Sequence, residues 1–165
     1  MKIELVQGDI TAEDVAAVVN AANSSLLGGG GVDGAIHRAA GPELLEACQD
    51  IRQLWTDGLP VGRAVVTPGF ELRARFIIHT VGPNRHAGQT DPALLRSCFS
   101  ESLHAAETVG ARTLAFPAIS AGVYGWDMAT VAATALDVLR SYDGPISLAK
   151  VVLFDAHALE VWENA

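Results

Sequence analysis

Residues 20–37 read NAANSSLLGGGGVDGAIH and join an apolar, β-branched segment to a segment with helical spacing. Four consecutive glycines, Gly28 to Gly31, make this connection unfavourable in backbone entropy. Glycine tolerates positive φ and has no Cβ, so a run of glycines lets several backbone N–H groups converge on one anion. A helix that follows adds the positive end of its dipole. The stretch therefore predicts a strand, an anion-binding loop and a helix, in that order.

Short apolar strands alternate with helical segments along the rest of the chain. Strands are predicted at residues 3–6, 17–19, 64–67, 76–81, 113–116 and 149–154. Helices are predicted from Thr11, across 34–48, from Asp91 to about Val109, from Asp127 to Arg140, and after the last strand. Strands separated by helices of this length predict an α/β fold, a three-layer α/β/α sandwich around a central mixed, mostly parallel sheet.

The composition suits one globular domain across residues 1–165, because 50% of the residues are hydrophobic and 18% are charged. A formal net charge of -8 argues against the basic surface that drives non-specific binding to nucleic acid. Glu4 and Asp9 interrupt the N-terminus where a signal peptide needs an apolar run, and no stretch approaches membrane-spanning length. We therefore expect a cytoplasmic protein with no membrane partner. Cys48 and Cys98 stand far apart without a second ligand nearby, which favours core thiols over a disulfide or a zinc site.

Three segments follow predicted strands and fall at the carboxyl edge of the sheet, where α/β folds bind ligands. They are Gly8–Ile10, residues 20–37 and residues 117–126. The last two are rich in glycine, and two glycine loops at one sheet edge indicate a clamp for a diphosphate. The alternative for either loop alone is a flexible surface turn.

Acids and amides in these segments each allow two interpretations. Asp33 stands where the glycines meet the helix, so it is either a helix cap or a carboxylate that orients or deprotonates a water. Asn23 could hydrogen-bond a polyhydroxylated ligand, and Asn20 at a strand end could equally brace the loop. Asp9 is either another helix cap or an acceptor for an exocyclic amine.

The glycines Gly29, Gly31 and Gly34 also have the spacing of the dinucleotide-binding fingerprint of nicotinamide-dependent oxidoreductases. That fingerprint needs a tight turn directly after a strand, whereas residues 20–27 intervene here. It also needs an acid at the end of the next strand, where this chain has Thr67-Pro68-Gly69. The spacing is therefore weak evidence for an oxidoreductase.

Five motifs together carry a resemblance to a known family. They are VQGDI at 6–10, NAAN at 20–23, GGGVDGAIH at 29–37, HTVGP at 79–83 and SAGVYG at 120–125. With these motifs the chain resembles, over essentially its whole length, a macrodomain of the MacroD type, a family that binds ADP-ribose and hydrolyses ADP-ribosyl esters. The resemblance implies a single macrodomain across residues 1–165.

The resemblance also implies a role for each part of the site. Asp9 would accept from the adenine amine, and Ile10 would line the adenine pocket. The two glycine loops would hold the diphosphate through their backbone, and Asn23 and Asp33 would flank the distal ribose as catalytic residues. The ligand-binding residues implied are Asp9, Ile10, Asn20, Gly29, Gly30, Gly31, Val32, Ser120, Ala121, Gly122, Val123, Tyr124 and Phe154.

A few positions depart from the family pattern or allow a plainer role. Tyr124 stands where family members often carry phenylalanine, and Trp126 follows, so we expect a bulkier or more polar cover over the distal ribose. Phe154 matches an aromatic that the family places near adenine, although a residue that ends a buried strand more often belongs to the core, which is the interpretation favoured here. His37 is expected to support the glycine loop, and His79 to be a hydrogen-bonded core histidine.

The function that this resemblance implies is hydrolysis of ADP-ribosyl esters. The chain would bind ADP-ribose and remove it from acidic side chains of mono-ADP-ribosylated proteins, deacetylate O-acetyl-ADP-ribose, or do both, through a water positioned by Asp33. No cofactor is implied, and no metal is expected because no His, Cys or carboxylate pair stands at ligand spacing. The alternative is a module that binds ADP-ribose without chemistry, which would not need Asn23 and Asp33. Nucleic acid is expected only as an ADP-ribosylated substrate.

Overall fold

A six-stranded sheet forms the centre of the computed structural model, which describes residues 1–165. The strands are β1 (Lys2–Gln7), β2 (Ala17–Ala22), β3 (Ala64–Pro68), β4 (Phe76–Val81), β5 (Thr113–Phe116) and β6 (Leu148–Leu153). Their order is β1-β6-β5-β2-β4-β3, and every neighbouring pair is parallel except β3 with β4 at one edge. The predicted mixed, mostly parallel sheet is confirmed.

Five α-helices cover the two faces of this sheet. They are α1 (Gly31–Ala40), α2 (Glu43–Arg52), α3 (Pro92–Thr108), α4 (Met128–Arg140) and α5 (Ala156–Glu163). Apolar side chains of α1 and α2, such as Ile36 and Leu44, form one core with the sheet, and those of α3, α4 and α5 form a second core. The predicted three layers are therefore confirmed. None of the helices is both long and apolar enough to cross a membrane.

The predicted helix across residues 34–48 is wrong, because the structure divides it into α1 and α2. Gly41 lies between them with φ +91°, which a residue with a side chain rarely adopts. Pro42 follows and is the N-cap of α2. The apolar spacing continues through the break because both helices bury their residues, including Cys48, in the same core.

The segment after β1 also differs from its prediction. Only a 3-10 turn, Ile10–Ala12, forms there in place of an α-helix starting at Thr11. The cap is Asp9, whose Oδ1 accepts from the backbone N and the hydroxyl of Thr11 at 2.9 and 2.7 Å. This turn leads directly from the carboxyl end of β1 into β2.

The remaining boundaries agree closely with the sequence. Strands β4 and β5 have the predicted bounds, and Asp91 and Asp127 cap α3 and α4 by accepting from Ala93 N and Thr130 N. Both cysteines are buried and free. Because the five mutually parallel strands run in the same direction, their carboxyl ends meet at one edge of the sheet.

Candidate functional site

A cleft of about 510 Å³ opens at this carboxyl edge. Residues from both predicted glycine loops line it, together with the end of β6: Gly30, Gly31, Val32, Ser120, Ala121, Gly122, Val123, Tyr124 and Phe154. The individual site residues predicted from the sequence did not include several other lining residues, among them Gly82, Pro117, Met128 and Asp155, although Pro117 lies in the segment 117–126 that was placed at this edge and Gly82 in the HTVGP motif. Three of these directly follow, or come within two residues of, a strand end, which is a signal that could have identified them.

The first glycine loop brings unpaired backbone donors to the cleft. Helix α1 begins at Gly31 with Gly30 as its N-cap, and no side chain caps it. Gly28 and Gly31 have φ of +91° and +59°, a backbone conformation that favours glycine at both positions. At Gly34 an added Cβ would lie 2.6 Å from Gly29 O, which shows how closely the loop packs on the helix. The open N-terminus of a ten-residue helix favours an anion.

The second loop contributes a strained residue. Ser120 has φ +68°, unusual for a residue other than glycine, and its buried hydroxyl has no hydrogen-bond partner in the protein. Gly82, after β4, packs so closely that an added Cβ would lie 2.2 Å from Ser120 Oγ. Both residues line the cleft, so the strain is located where a ligand would be held.

Asp33 is not the cap of α1; that interpretation is wrong because Asp33 is the third residue of the helix. Its side chain is buried, and Oδ1 accepts from Asn20 Nδ2 at 2.9 Å and lies 3.4 Å from His37 Nε2. Burial raises the pKa of this carboxyl, against smaller lowering effects from Asn20 and from His37. Oδ2 makes no hydrogen bond within the protein.

Asn23 lies beside Asp33 and also organises the loop. Its Oδ1 accepts from the backbone N and the hydroxyl of Ser25, and its Nδ2 donates to Gly28 O at 3.0 Å. A Cβ added at Gly29 would lie 3.3 Å from Asn23 Nδ2 and 3.2 Å from Asp33 Oδ2. The two polar side chains therefore flank Gly29, each with hydrogen-bonding capacity left over.

Asn20 lies within β2, not in the loop, and its side-chain amide holds Asp33 by the hydrogen bond to Oδ1. His79 on β4 is fully buried and hydrogen-bonded to Asn20 and Thr67, as predicted for a core histidine. The His37 ring lies close to Gly28, where an added Cβ would be 3.8 Å from the ring, and so supports the loop as predicted.

Two aromatic predictions are corrected. Phe154 is 92% exposed at the cleft, so the favoured core interpretation is wrong: β6 ends at Leu153, and the next residue faces the cleft. Trp126 is buried in the core of the α3 face and does not cover the cleft, whereas Tyr124 lines it. The Arg85 guanidinium lies over the Trp126 ring, 5.2 Å from its centre.

Several predicted site residues lie outside the residues that line the cleft: Asp9, Ile10, Asn20, Asn23, Gly29 and Asp33. Asp9 is exposed and uses Oδ1 for its cap, while Ile10 is buried in the core of the α1 face. Gly8 N donates to Leu153 O at 3.1 Å, which ties this segment to the strand end that carries Phe154. No three His, Cys, Asp or Glu side chains gather as a metal site.

Comparison with known proteins agrees with this architecture. The family model of the Macro domain matches residues 19–135. The O-acetyl-ADP-ribose deacetylase of Cronobacter sakazakii is 49% identical over 142 residues, covering 86% of this chain and 78% of that protein. The chain therefore belongs to the macrodomain family, and the resemblance seen in the sequence is confirmed.

Two solved structures extend the comparison. The Oceanobacillus iheyensis macrodomain with ADP matches with a TM-score of 0.94 and 45% identity, covering 98% of this chain and 88% of that one. The Trypanosoma brucei macrodomain in complex with ADP-ribose matches with a TM-score of 0.87 and 36% identity, covering 98% and 68%.

Proposed function

We propose that this chain is a hydrolase that binds ADP-ribose and releases it from acidic side chains of mono-ADP-ribosylated proteins and from O-acetyl-ADP-ribose. The observation that carries the proposal is the pair of Asp33 and Asn23 flanking Gly29 at the base of a loop that opens onto the cleft. The O-acetyl-ADP-ribose deacetylase of Cronobacter sakazakii, a relative of this chain, and the complex of the Trypanosoma brucei macrodomain with ADP-ribose support it.

The proposed ligand spans the cleft from end to end. Its diphosphate lies between the N-terminus of α1 and the Ser120–Tyr124 loop, where backbone N–H groups meet the charge. The exposed ring of Phe154 offers a stacking surface for adenine, and Asp9 accepts from the adenine amine through the oxygen that its cap leaves unused. The distal ribose then lies toward Asn23 and Asp33.

The proposed reaction is hydrolysis of an ester on that ribose. Both substrates carry the ester at the anomeric carbon or a neighbouring hydroxyl, so one site can serve both. A water held by Asp33 Oδ2 and a ligand phosphate oxygen attacks and passes a proton to the carboxylate. One C–O bond forms and the ester C–O bond breaks, which gives ADP-ribose and the free carboxylic acid. Because burial raises the pKa of Asp33, this base is stronger than an exposed aspartate.

The proposal is tested by incubating the protein with a glutamate-linked mono-ADP-ribosylated protein and, separately, with O-acetyl-ADP-ribose. Release of ADP-ribose or of acetate is followed, with Asp33→Asn as the inactive control. Binding of ADP-ribose without release from either substrate would identify a binding module. Absence of both binding and release would overturn the assignment.

A further inference from the structure

A chain of hydrogen bonds runs through the buried sheet from the edge strand β3 to Asp33 on α1. Thr67 Oγ1 lies 2.9 Å from His79 Nε2, and His79 Nδ1 lies 3.1 Å from Asn20 Nδ2. The same Asn20 nitrogen lies 2.9 Å from Asp33 Oδ1. All four residues are buried. Asn20 and His79 are register partners on β2 and β4, so their side chains lie side by side on one face of the sheet.

The donors and acceptors in this chain follow from simple chemistry. An ionised carboxylate only accepts, so the amide nitrogen of Asn20 faces Asp33. The second hydrogen on that nitrogen points to His79 Nδ1, which therefore carries a lone pair. The ring proton is then on Nε2, where it donates to Thr67 Oγ1. Burial, with a smaller effect of His37, lowers the pKa of His79 to about 3, so the ring is neutral near pH 7.

The surroundings of this chain are apolar, which makes its polar side chains unexpected. Val18 and Ala22 flank Asn20, and Ile77 and Val81 flank His79, on the same face. Polar groups in such a core reduce stability unless every hydrogen bond is made, and Asn20 Oδ1 has no partner. These buried polar side chains are therefore better explained by the effect of their hydrogen bonds on Asp33 than by a contribution to stability.

We propose that His79, supported by Thr67, is a positioning residue for the hydrolysis. By accepting one amide hydrogen, His79 fixes the plane of the Asn20 amide and keeps the other hydrogen on Asp33 Oδ1. Asp33 Oδ2 is thereby left beside Gly29 and Asn23. The inference rests on the proposed function because it assigns Asp33 the role of the base, although His79 and Thr67 act only through Asn20.

Three variants separate positioning from packing. Thr67→Val removes the hydroxyl at nearly constant shape, and His79→Leu removes both ring nitrogens. His79→Asn keeps an acceptor near the position of Nδ1. The matched control is Thr80→Val, because Thr80 is a buried threonine next to His79 on the other face of β4, where its hydroxyl donates to Arg63 O at 2.9 Å.

The first measurements are single-turnover hydrolysis against pH and ADP-ribose affinity. His79→Leu should slow hydrolysis by roughly 10- to 100-fold and shift affinity by less than about threefold, because a misplaced base affects the reaction more than ground-state binding. Thr67→Val should act in the same direction with a smaller effect, and His79→Asn should recover part of the rate. The acid limb of the pH profile should move to higher pH in His79→Leu, since the Asn20 hydrogen bond lowers the pKa of Asp33. The control should match the wild type.

The second measurement needs no substrate: the Asp33 carboxyl is titrated by carbon NMR. The inference is supported if the titration midpoint of Asp33 lies at a higher pH in Thr67→Val and in His79→Leu than it does in the wild type. The midpoint in the control, Thr80→Val, should equal that of the wild type. An unchanged midpoint in the folded variants overturns the inference, as does an unchanged rate. If the wild-type protein binds ADP-ribose but hydrolyses neither ester, the proposed function fails by itself, and the titration still decides the positioning role. Should His79→Leu fail to fold, Thr67→Val carries the same test.

Discussion

Replacement of Asp33 by asparagine removes the proposed base and keeps the shape of the side chain. The Asn20 hydrogen bond, 2.9 Å long in the wild type, can persist because the new amide oxygen accepts it. An amide nitrogen then takes the place of Oδ2, so the negative charge and the acceptor for the proton of the water are both lost. Hydrolysis should therefore fall by roughly 10²- to 10⁴-fold, the range for loss of a general base. Affinity for ADP-ribose should change far less, since the loop backbone holds the diphosphate in ground and transition states alike.

Asp33→Ala separates the loss of the base from the loss of a hydrogen bond. It leaves a buried donor of Asn20 without an acceptor, which costs about 1–3 kcal/mol of stability. The variant also loses a buried carboxylate whose pKa is raised by burial, and this offsets part of that destabilisation. The two variants should therefore differ in melting temperature while their hydrolysis rates are similarly low.

The assay combines single-turnover hydrolysis of a glutamate-linked substrate, calorimetric affinity for ADP-ribose and thermal melting on the same samples. Near-normal turnover by folded Asp33→Asn would refute the assignment of Asp33 as the base. A fall in affinity as large as the fall in rate would also refute it, because Asp33 would then be a ground-state binding residue. Asn23→Ala serves as the comparison, and it should lose more affinity because Asn23 also holds the loop through Gly28 and Ser25.

Four further predictions concern other parts of the molecule. Asp9→Asn should weaken ADP-ribose binding by roughly 10- to 100-fold, about 1.5–3 kcal/mol. The cap on Thr11 persists in this variant, but the oxygen that would accept from adenine becomes an amide donor. An unchanged calorimetric affinity would show that Asp9 is a cap alone. Gly29→Ala should slow single-turnover hydrolysis more than it weakens binding, since its Cβ would lie 3.2 Å from Asp33 Oδ2, and wild-type turnover would contradict this geometry. EDTA should leave turnover intact because backbone N–H groups meet the diphosphate charge, and activity lost to EDTA and restored by a divalent ion would require a different scheme. As the pH falls from 7 to 5, His79 should lower the free energy of unfolding by about 2 kcal/mol. Its folded pKa of about 3 lies below the ordinary 6.5, so the unfolded chain takes up a proton in this range and the folded chain does not. The raised pKa of Asp33 acts with the opposite sign, as its stabilisation is present at low pH and lost as pH rises through the folded pKa. Denaturant titrations of wild type and His79→Leu measure the difference, and identical pH slopes would show that His79 contributes nothing.

Local signals predicted most of the fold. Strands β4 and β5 are runs of mostly apolar and β-branched residues, each preceded by an arginine and followed by Gly82 or Pro117. Asp91 and Asp127 begin their helices with side-chain caps. The break at Gly41-Pro42 was missed because apolar spacing continues across it. Here the dipeptide itself was the better signal, since glycine tolerates φ +91° and proline cannot continue a preceding helix.

The candidate site was less accessible to sequence reasoning where it depends on register. Thr67 and His79 are close to Asn20 and Asp33 only because β3, β4 and β2 are adjacent in the sheet. Each residue has a plausible local role by itself, so no short motif reveals the chain of hydrogen bonds. The prediction that Phe154 belongs to the core was wrong for a similar reason. The point at which β6 ends, here Leu153, decides whether the next residue faces the core or the cleft.

The Ser120–Trp126 segment is fixed at both ends and free at its tip. Ser120 and Trp126 are buried, and Trp126 N donates to Ser120 O at 3.3 Å, whereas Val123 is 86% exposed. A substitution at Trp126 disturbs the core, but one at Val123 changes only what a ligand meets at the mouth of the cleft. Among related chains, substrate preference can therefore diverge by mutation at this tip while the stability of the fold is retained. In this loop, the residues that select a ligand and the residues that stabilise the fold evolve independently.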